Sequence, residues 1–424
     1  MHFYMFTGVI LFAEKTPQST LMEGLVFINS RENDNELHGK RGGIALKTIV
    51  EKAVKKAKEE SSRKKKITIA GKGEEDLEKI LKECGAVIKV FGCGGAGNNT
   101  LGRIQEVGIH GIESIALNTD AQQLSGTTAD KKLLIGRELT QGLGAGSNPD
   151  VGEAAARESI EDIARLMKGA DLVFITCGLG GGTGTGSAPV VAEVAKDLEA
   201  LSVAVVTLPF TVEGKRRMEN ALQGLAKLRK ACDTIILIPN DKLLEVAPDL
   251  PIKSAFKVAD EILTNAVKGT TELITKPGLI NLDFADLRTI LNRCGPAMIG
   301  LGESARDSKI ESRALDAVEN ALTSPLLDVD ISEASRALVN VTGGTDMTLK
   351  EAEMVVEAVA SKIHPSAHII WGAMIDDNLS KSGIQAMVII GGGRIPYLEM
   401  LEGGEYDEAK GKKGGKADLD IEYV

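Results

Sequence analysis

Aromatic residues make up only 3% of the 424 positions, with a single tryptophan. Any core must therefore be built from Val, Ile, Leu and Ala, and the 43% hydrophobic content is ample for that. No apolar run reaches the ~18 residues of a membrane-spanning helix. The apolar start, Met1 to Phe12, has neither a basic leading region nor a small-residue cleavage site, so no secretory signal is expected. Five cysteines (Cys84, Cys93, Cys177, Cys232, Cys294) are scattered, without CxxC or His-rich spacing. That pattern gives no zinc site and suits a reducing cytosol. Basic excess is also missing: 50 Lys and Arg face 60 Asp and Glu, for a net charge of −10. A general nucleic-acid binder would carry the opposite balance.

What the chain has is glycine, 47 of them, concentrated in boxes. From Gly178 to Gly186, six of nine residues are glycine and the others are Leu179, Thr183 and Thr185. The apolar run Asp171 to Cys177 before the box reads as a buried strand. Ser187 to Ala200 after it reads as a helix, with Ser187 as cap and Pro189 in the first turn. Glycines let the backbone approach a ligand closely, and successive N–H groups at the positive end of a helix make an anion site. Phosphate is the obvious anion, with Thr183 and Thr185 adding hydroxyls. Tight turns also use glycine, but not at this density between a strand and a helix. The box does not end in Gly-Lys-Ser/Thr, so it is not a Walker A loop. No lysine neutralises the phosphates; backbone dipoles, hydroxyls and Mg²⁺ must do so.

A second box lies upstream. The strand Ala86 to Phe91 runs into Gly92, Gly94 and Gly97 at G-x-G-x-x-G spacing, and a helix follows to about Val107. Asp120 ends the next strand, Ile115 to Asp120, about where a ribose-binding acid belongs. Alone this would indicate a nicotinamide dehydrogenase. The later box is what such a site does not need, and two glycine loops on neighbouring strand ends suit a nucleoside triphosphate better. Further loops follow at 142–149, 209–217 and 239–241, with a helix expected from Val151 to Lys168. Strands alternating with helices at this spacing imply a doubly wound parallel sheet, with ligands at the carboxyl ends of its strands.

Ser254 to Thr275 is the longest helical pattern, with Phe256, Ala259, Leu263, Ala266, Val267 and Ile274 in period. Asp283 and Asp286 open the next helix three residues apart, and from the residues alone they read as capping acids. From Cys294 the chain reads as a smaller, mixed α/β domain without a phosphate loop. Trp371 there is expected in the core, and Pro365 between His364 and His368 speaks against a metal pair. Two further helices are expected at 44–59 and 74–84. The first is lysine-rich, and with Arg63 to Lys66 reads as a solvated helix and linker before an anionic contact. Residues 402–416 read as a polar linker ending in the apolar and acidic tip Ala417 to Val424, a docking tip or a frayed end.

Gly178 to Gly186, together with Asn118 to Gln122, Pro239 to Lys242 and Asn281 to Asp286, resembles the FtsZ division GTPases of the tubulin-like class. The likeness covers Ala86 to Ile395, and Gly95-Ala-Gly-Asn-Asn99 is similar to the archaeal branch. It implies a Rossmann-like GTPase domain (86–253), a central helix (254–276) and a C-terminal α/β domain (277–396). These would be flanked by an extension (1–85) and a tail (397–424). It implies GTP or GDP with Mg²⁺ along Gly95, Ala96, Gly97, Asn98 and Asn99, and phosphates on Gly182, Thr183 and Gly184. Glu213 and Arg217 would lie near ribose and phosphate. Asn240 and Asp260 would read the sugar and guanine, whose N1–H and amine one carboxylate can accept from. It also reverses the reading of the aspartates: subunits stack head to tail, and Asp283 and Asp286 polarise water at the next subunit's GTP, with Asn281 near the phosphates. It further implies a cytoplasmic filament at a mid-cell ring, with a membrane anchor and other division proteins docking on the tip and indirect membrane contact. A nucleotide-binding scaffold without turnover and a nicotinamide-dependent oxidoreductase are the alternatives.

Overall fold

The strand Ile88–Cys93 (β1) is buried along its whole length, because both faces of a parallel sheet are covered and its strands read as continuous apolar runs. The computed structural model describes residues 86–393, apart from 110, 247–251, 277, 305–311, 328–329, 377–378 and 380–382, together with 5–6 and 9–10. Residues 1–80 and 81–424 form separate units, and the described part of the first is an antiparallel strand pair, Met5–Phe6 with Val9–Ile10. The expected helices at 44–59 and 74–84 and the expected C-terminal tip lie outside the described residues.

After β1 come Gly94–Val107 (α1), Ile112–Asn118 (β2), Ala121–Gly126 (α2), Lys131–Leu134 (β3) and Arg137–Thr140 (α3). Pro149–Glu158 (α4), Ile160–Met167 (α5), Leu172–Gly178 (β4), Thr183–Asp197 (α6) and Leu201–Leu208 (β5) follow. A 3-10 turn, Thr211–Glu213, precedes Lys215–Ala231 (α7), Thr234–Pro239 (β6), Asp241–Val246 (α8) and Ile252–Thr275 (α9). The last part holds Phe284–Leu291 (α10), Gly295–Glu303 (β7), Arg313–Leu322 (α11), Arg336–Gly343 (β8), Leu349–Ala360 (α12), His368–Ile375 (β9) and Ile384–Gly391 (β10).

The strands form one sheet in the order β9-β8-β10-β7-β6-β5-β4-β1-β2-β3, and β10 runs against both its neighbours. The run β3-β2-β1-β4-β5-β6 is the doubly wound nucleotide-binding order, whose switch point lies between β1 and β4. Side chains alternate between two cores. Phe91, Ile175 and Val206 face helices α4 to α7, whereas Val90, Phe174 and Val205 face α1 and α9. The C-terminal part is mixed, as expected, but it does not start a new sheet. Thr234, Ile235 and Ile236 of β6 pair in parallel with Gly295, Pro296 and Ala297 of β7. Helix α9 packs across this join: the same core holds its Leu263, Ala266 and Val267 together with Ile236 and with Leu338 and Ile389 of β8 and β10. Its 24 residues span about 36 Å at 1.5 Å per residue.

Three local expectations need correction. Helix α6 starts at Thr183, not Ser187; the Ser187 hydroxyl bonds back to Thr183 O at 2.7 Å, and Pro189 sits inside the helix. The expected helix from Val151 to Lys168 is two helices parted at Ser159, whose hydroxyl accepts from Gly136 N at 3.2 Å. Trp371 is half-buried, because β9 is the edge of the sheet.

Close packing of α1 on the sheet depends on Gly97: a Cβ there would lie 2.3 Å from Thr176 O of β4. Gly97→Ala must push α1 outward. It should cost about 1–3 kcal/mol in urea unfolding, whereas Gly102→Ala on the open side of α1, where a Cβ meets nothing within 4 Å, should gain up to about 1 kcal/mol. The same gain at both positions would mean that the Gly97 contact is relieved without cost.

Candidate nucleotide site

Two helices begin at the switch point without a side-chain cap. Cys93 precedes α1 and Gly182 precedes α6, and neither bonds the free N–H groups of the first turn. Such groups need an acceptor, and a ligand anion is one. Between the helices and the strand ends lies a cavity of about 580 Å³, within the range of small-molecule sites.

One end is walled by loop backbone. Leu143 to Ser147 lines it on one side, and Gly178, Leu179, Gly181, Gly182, Thr183 and Gly184 on the other. Leu179 N donates to Thr207 O of β5 at 2.9 Å, which ties the second loop to the sheet. Thr183 and Thr119 hydroxyls are hydrogen-bonded at 2.7 Å, joining the loops after β4 and β2. Thr185 does not face the cavity as expected: its hydroxyl accepts from Gly180 N at 2.9 Å and it holds the loop from behind. Asp120 lines the cavity but acts as the cap of α2, accepting from Gln123 N at 2.9 Å. Arg217 is the one Lys or Arg among the described lining residues, and it is ion-paired with Glu213, which also accepts from Phe210 N at 2.9 Å.

The other end is shaped for a flat polar group. Asn99, Asn240, Phe256 and Asp260 line it, and Phe256 packs edge-on against Phe210 with ring centroids 5.3 Å apart. Asn240 is buried and its Oδ1 has no hydrogen-bond partner among the described residues. An unmade bond of that kind costs about 1–3 kcal/mol, and a ligand that completes it recovers the loss. Burial pushes the Asp260 carboxyl up to about 6, against the opposing pull of the Thr100 hydroxyl and Arg103. Of the first glycine box, Gly95, Ala96 and Asn99 reach the cavity. Gly97 instead packs on β4, and Asn98 is buried beside a neighbouring groove of about 720 Å³ that shares Gly95, Asn99, Gln123 and Asp260 with the first.

Phe256 was missed as a site residue. In the sequence it reads as one more apolar position of α9, yet it is 41% exposed. The available signal was its place one turn before Asp260, on the same helical face.

Asn281, Asp283 and Asp286 are exposed and do not line this cavity. Asp283 and Asp286 form a reciprocal cap at the start of α10, with Asp286 N to Asp283 Oδ1 at 2.8 Å and Asp283 N to Asp286 Oδ2 at 3.4 Å. Asn281 Oδ1 accepts from Gly278 N at 2.5 Å. The loop that carries them is stitched to the edge strand β9 by Leu279 N to Ala373 O at 2.8 Å and Ala373 N to Ile280 O at 3.2 Å.

Residues 87–248 match the GTPase domain of the Tubulin/FtsZ family, and residues 295–394 match the C-terminal domain of the FtsZ family. The chain belongs to the FtsZ family of tubulin-like GTPases. It is 56% identical to Cell division protein FtsZ 1 of Archaeoglobus fulgidus over 357 residues, covering 83% of this chain and 95% of that one. Against FtsZ 1 of Methanocaldococcus jannaschii it is 58% identical over 318 residues, covering 75% and 86%. A solved FtsZ dimer from M. jannaschii superposes with a TM-score of 0.72 and 56% identity, covering 76% of this chain and 93% of that one. Membership makes the protein a cell-division GTPase that binds guanine nucleotide. It removes the oxidoreductase alternative.

The raised Asp260 carboxyl has a consequence for stability. Its proton is bound more tightly in the folded than in the unfolded chain, so ionising it works against folding as pH rises from about 4 to about 6. Asp260→Asn should therefore melt higher than the parent above pH 6 without nucleotide, and the gap should close towards pH 4. A constant gap across that range would show that burial of the charge is not the cause.

Proposed function

We propose that the protein assembles head to tail and hydrolyses GTP at the junction between subunits. The observation that carries this reading is a missing group. Of the three carboxylates among the described lining residues, Glu213 pairs with Arg217, Asp260 lies at the far end, and Asp120, which caps α2 through Oδ1, is the one left at the phosphate end for a cation. The exposed acids Asp283 and Asp286, each capping the other's backbone N–H through one oxygen, lie outside the cavity of their own chain and are open to another. The dimeric state of the similar M. jannaschii structure supports self-association.

In this reading guanine lies at the Phe256 end, against the ring face. Its N1–H and amine donate to ionised Asp260, a pairing adenine cannot make. Asn240 and Glu213 take the sugar. The phosphates cap α1 and α6 through the N–H groups around Gly95 to Gly97 and Gly182 to Gly184, with the Thr183 hydroxyl. Mg²⁺ fits this end: it keeps its waters and binds through phosphate oxygens and one or two carboxylates, so it needs no protein cage. Asp120 and Thr183 would hold it, and among the described residues no cluster of three metal-binding acids, His or Cys competes. Bound there, it offsets phosphate charge that a lone, already paired Arg217 leaves exposed.

Phosphoryl transfer asks the protein mainly to position water and stabilise charge. The acids of one subunit, oriented by their mutual cap and by the anchorage on β9, polarise water at the terminal phosphate of the next, with Asn281 near the phosphates. The filament forms at a cytoplasmic mid-cell ring, and the tip around Leu419 to Val424 recruits a membrane anchor and other division proteins.

Hydrolysis per molecule should rise steeply with protein concentration as pelletable polymer forms. Asp286→Asn keeps an acceptor for Asp283 N and so spares the cap. It should bind GTP and pellet normally while turnover falls by at least about a hundredfold. Specific activity that stays constant on dilution would contradict the shared site. Polymer without phosphate release by the parent protein would favour the scaffold alternative.

A further inference from the structure

Helix α7 reaches the phosphate end through more than Arg217. One turn on, the Asn220 side-chain nitrogen lies 3.3 Å from Ser147 O and 3.5 Å from Gly180 O. These carbonyls belong to the two loops that wall the phosphate end from opposite sides. An amide nitrogen carries two hydrogens, one for each carbonyl. The helix is seated closely enough for the reach to be fixed. A Cβ on Gly180, whose φ is +102°, would lie 2.8 Å from Arg217 O, and one on Gly224 would lie 2.3 Å from the Thr185 methyl carbon. Residues 217, 220 and 224 therefore form one stripe along the back of the second loop. Packing does not fill the gap that Asn220 spans: Ser147, Asn148, Arg216, Asn220 and Gln223 border a polar cavity of about 290 Å³ there.

We infer that Asn220 is a positioning residue for GTP, a clamp that fixes the spacing of the 143–147 and 178–182 loops before the phosphates enter. The site's own groups are mostly backbone N–H, which cannot be re-aimed by changing a rotamer, so the loops must be held as units. The inference rests on the cavity being the GTP site. Failure of the parent protein to bind GTP would remove that assignment, whereas normal parental binding with unchanged variants removes only the clamp.

The test is equilibrium GTP binding to nucleotide-free full-length protein, beside its thermal midpoint. Asn220→Leu keeps the shape and loses both donors; Asn220→Asp turns a carboxylate on two carbonyls; Asn220→Gln keeps the donors. The Leu and Asp variants should bind about three- to tenfold more weakly with little change in midpoint, and Gln should recover part of the loss. Binding by Asn220→Leu within about twofold of the parent overturns the clamp. So does a loss of affinity that follows the midpoint downwards and is not recovered by Gln, since that is packing and not positioning.

Discussion

The constraint on which this structure depends is a set of unpaired backbone N–H groups. Helices α1 and α6 both start at the sheet's switch point, and neither has a side-chain cap. In the proposed reading a phosphate chain supplies the acceptors they lack. Arg217, the one Lys or Arg among the described lining residues, is engaged with Glu213, so the protein's own contribution at this end is aligned dipoles and not free cationic side chains. That choice explains the glycines. Side chains would hold the phosphates away from the N–H groups, and at Gly182 a Cβ would also lie 2.9 Å from Ala145 Cβ and from Asn148 N.

The second half of the molecule gains its meaning from α9. Its first turns carry Phe256 and Asp260 at one end of the cavity, its middle packs on strands from both halves, and it ends just before the loop with Asn281, Asp283 and Asp286. That loop is pinned to β9 by main-chain bonds around Ala373. One element thus connects the cavity with the exposed acids that the proposal gives to a neighbouring subunit. The continuity of the sheet from β6 to β7 stiffens the same connection.

The nucleotide loops were legible in the sequence because glycine in that density has few other uses beside a strand. The start of α6 was not. Glycine is a poor helix former, and a serine four residues on looks like a better cap; the structure begins the helix at Thr183 all the same, with no side-chain cap on its first turn. Thr185 looked like a phosphate donor because a hydroxyl in a loop carries no sign of which way it points. Phe256 was hidden by its period, since apolar spacing marks a face without saying whether protein or ligand covers it. The join of β6 to β7 rests on pairing across some sixty residues, which periodicity does not encode. For Asp283 and Asp286 the structure bears out the capping reading, and the catalytic reading that the resemblance implies remains the proposal, compatible with that cap.

The central claim, a GTP site completed by the neighbouring subunit, is tested most directly by mixing two inactive variants. Asp260→Asn subunits lose guanine recognition and keep Asp286; Asp286→Asn subunits take GTP and lack the acid. The shared site predicts that each alone is inactive and that the mixture releases phosphate, as GTP held by one variant meets the acid of the other. A mixture that pellets as one polymer yet stays as inactive as its parts would contradict it, and would return catalysis to a single chain.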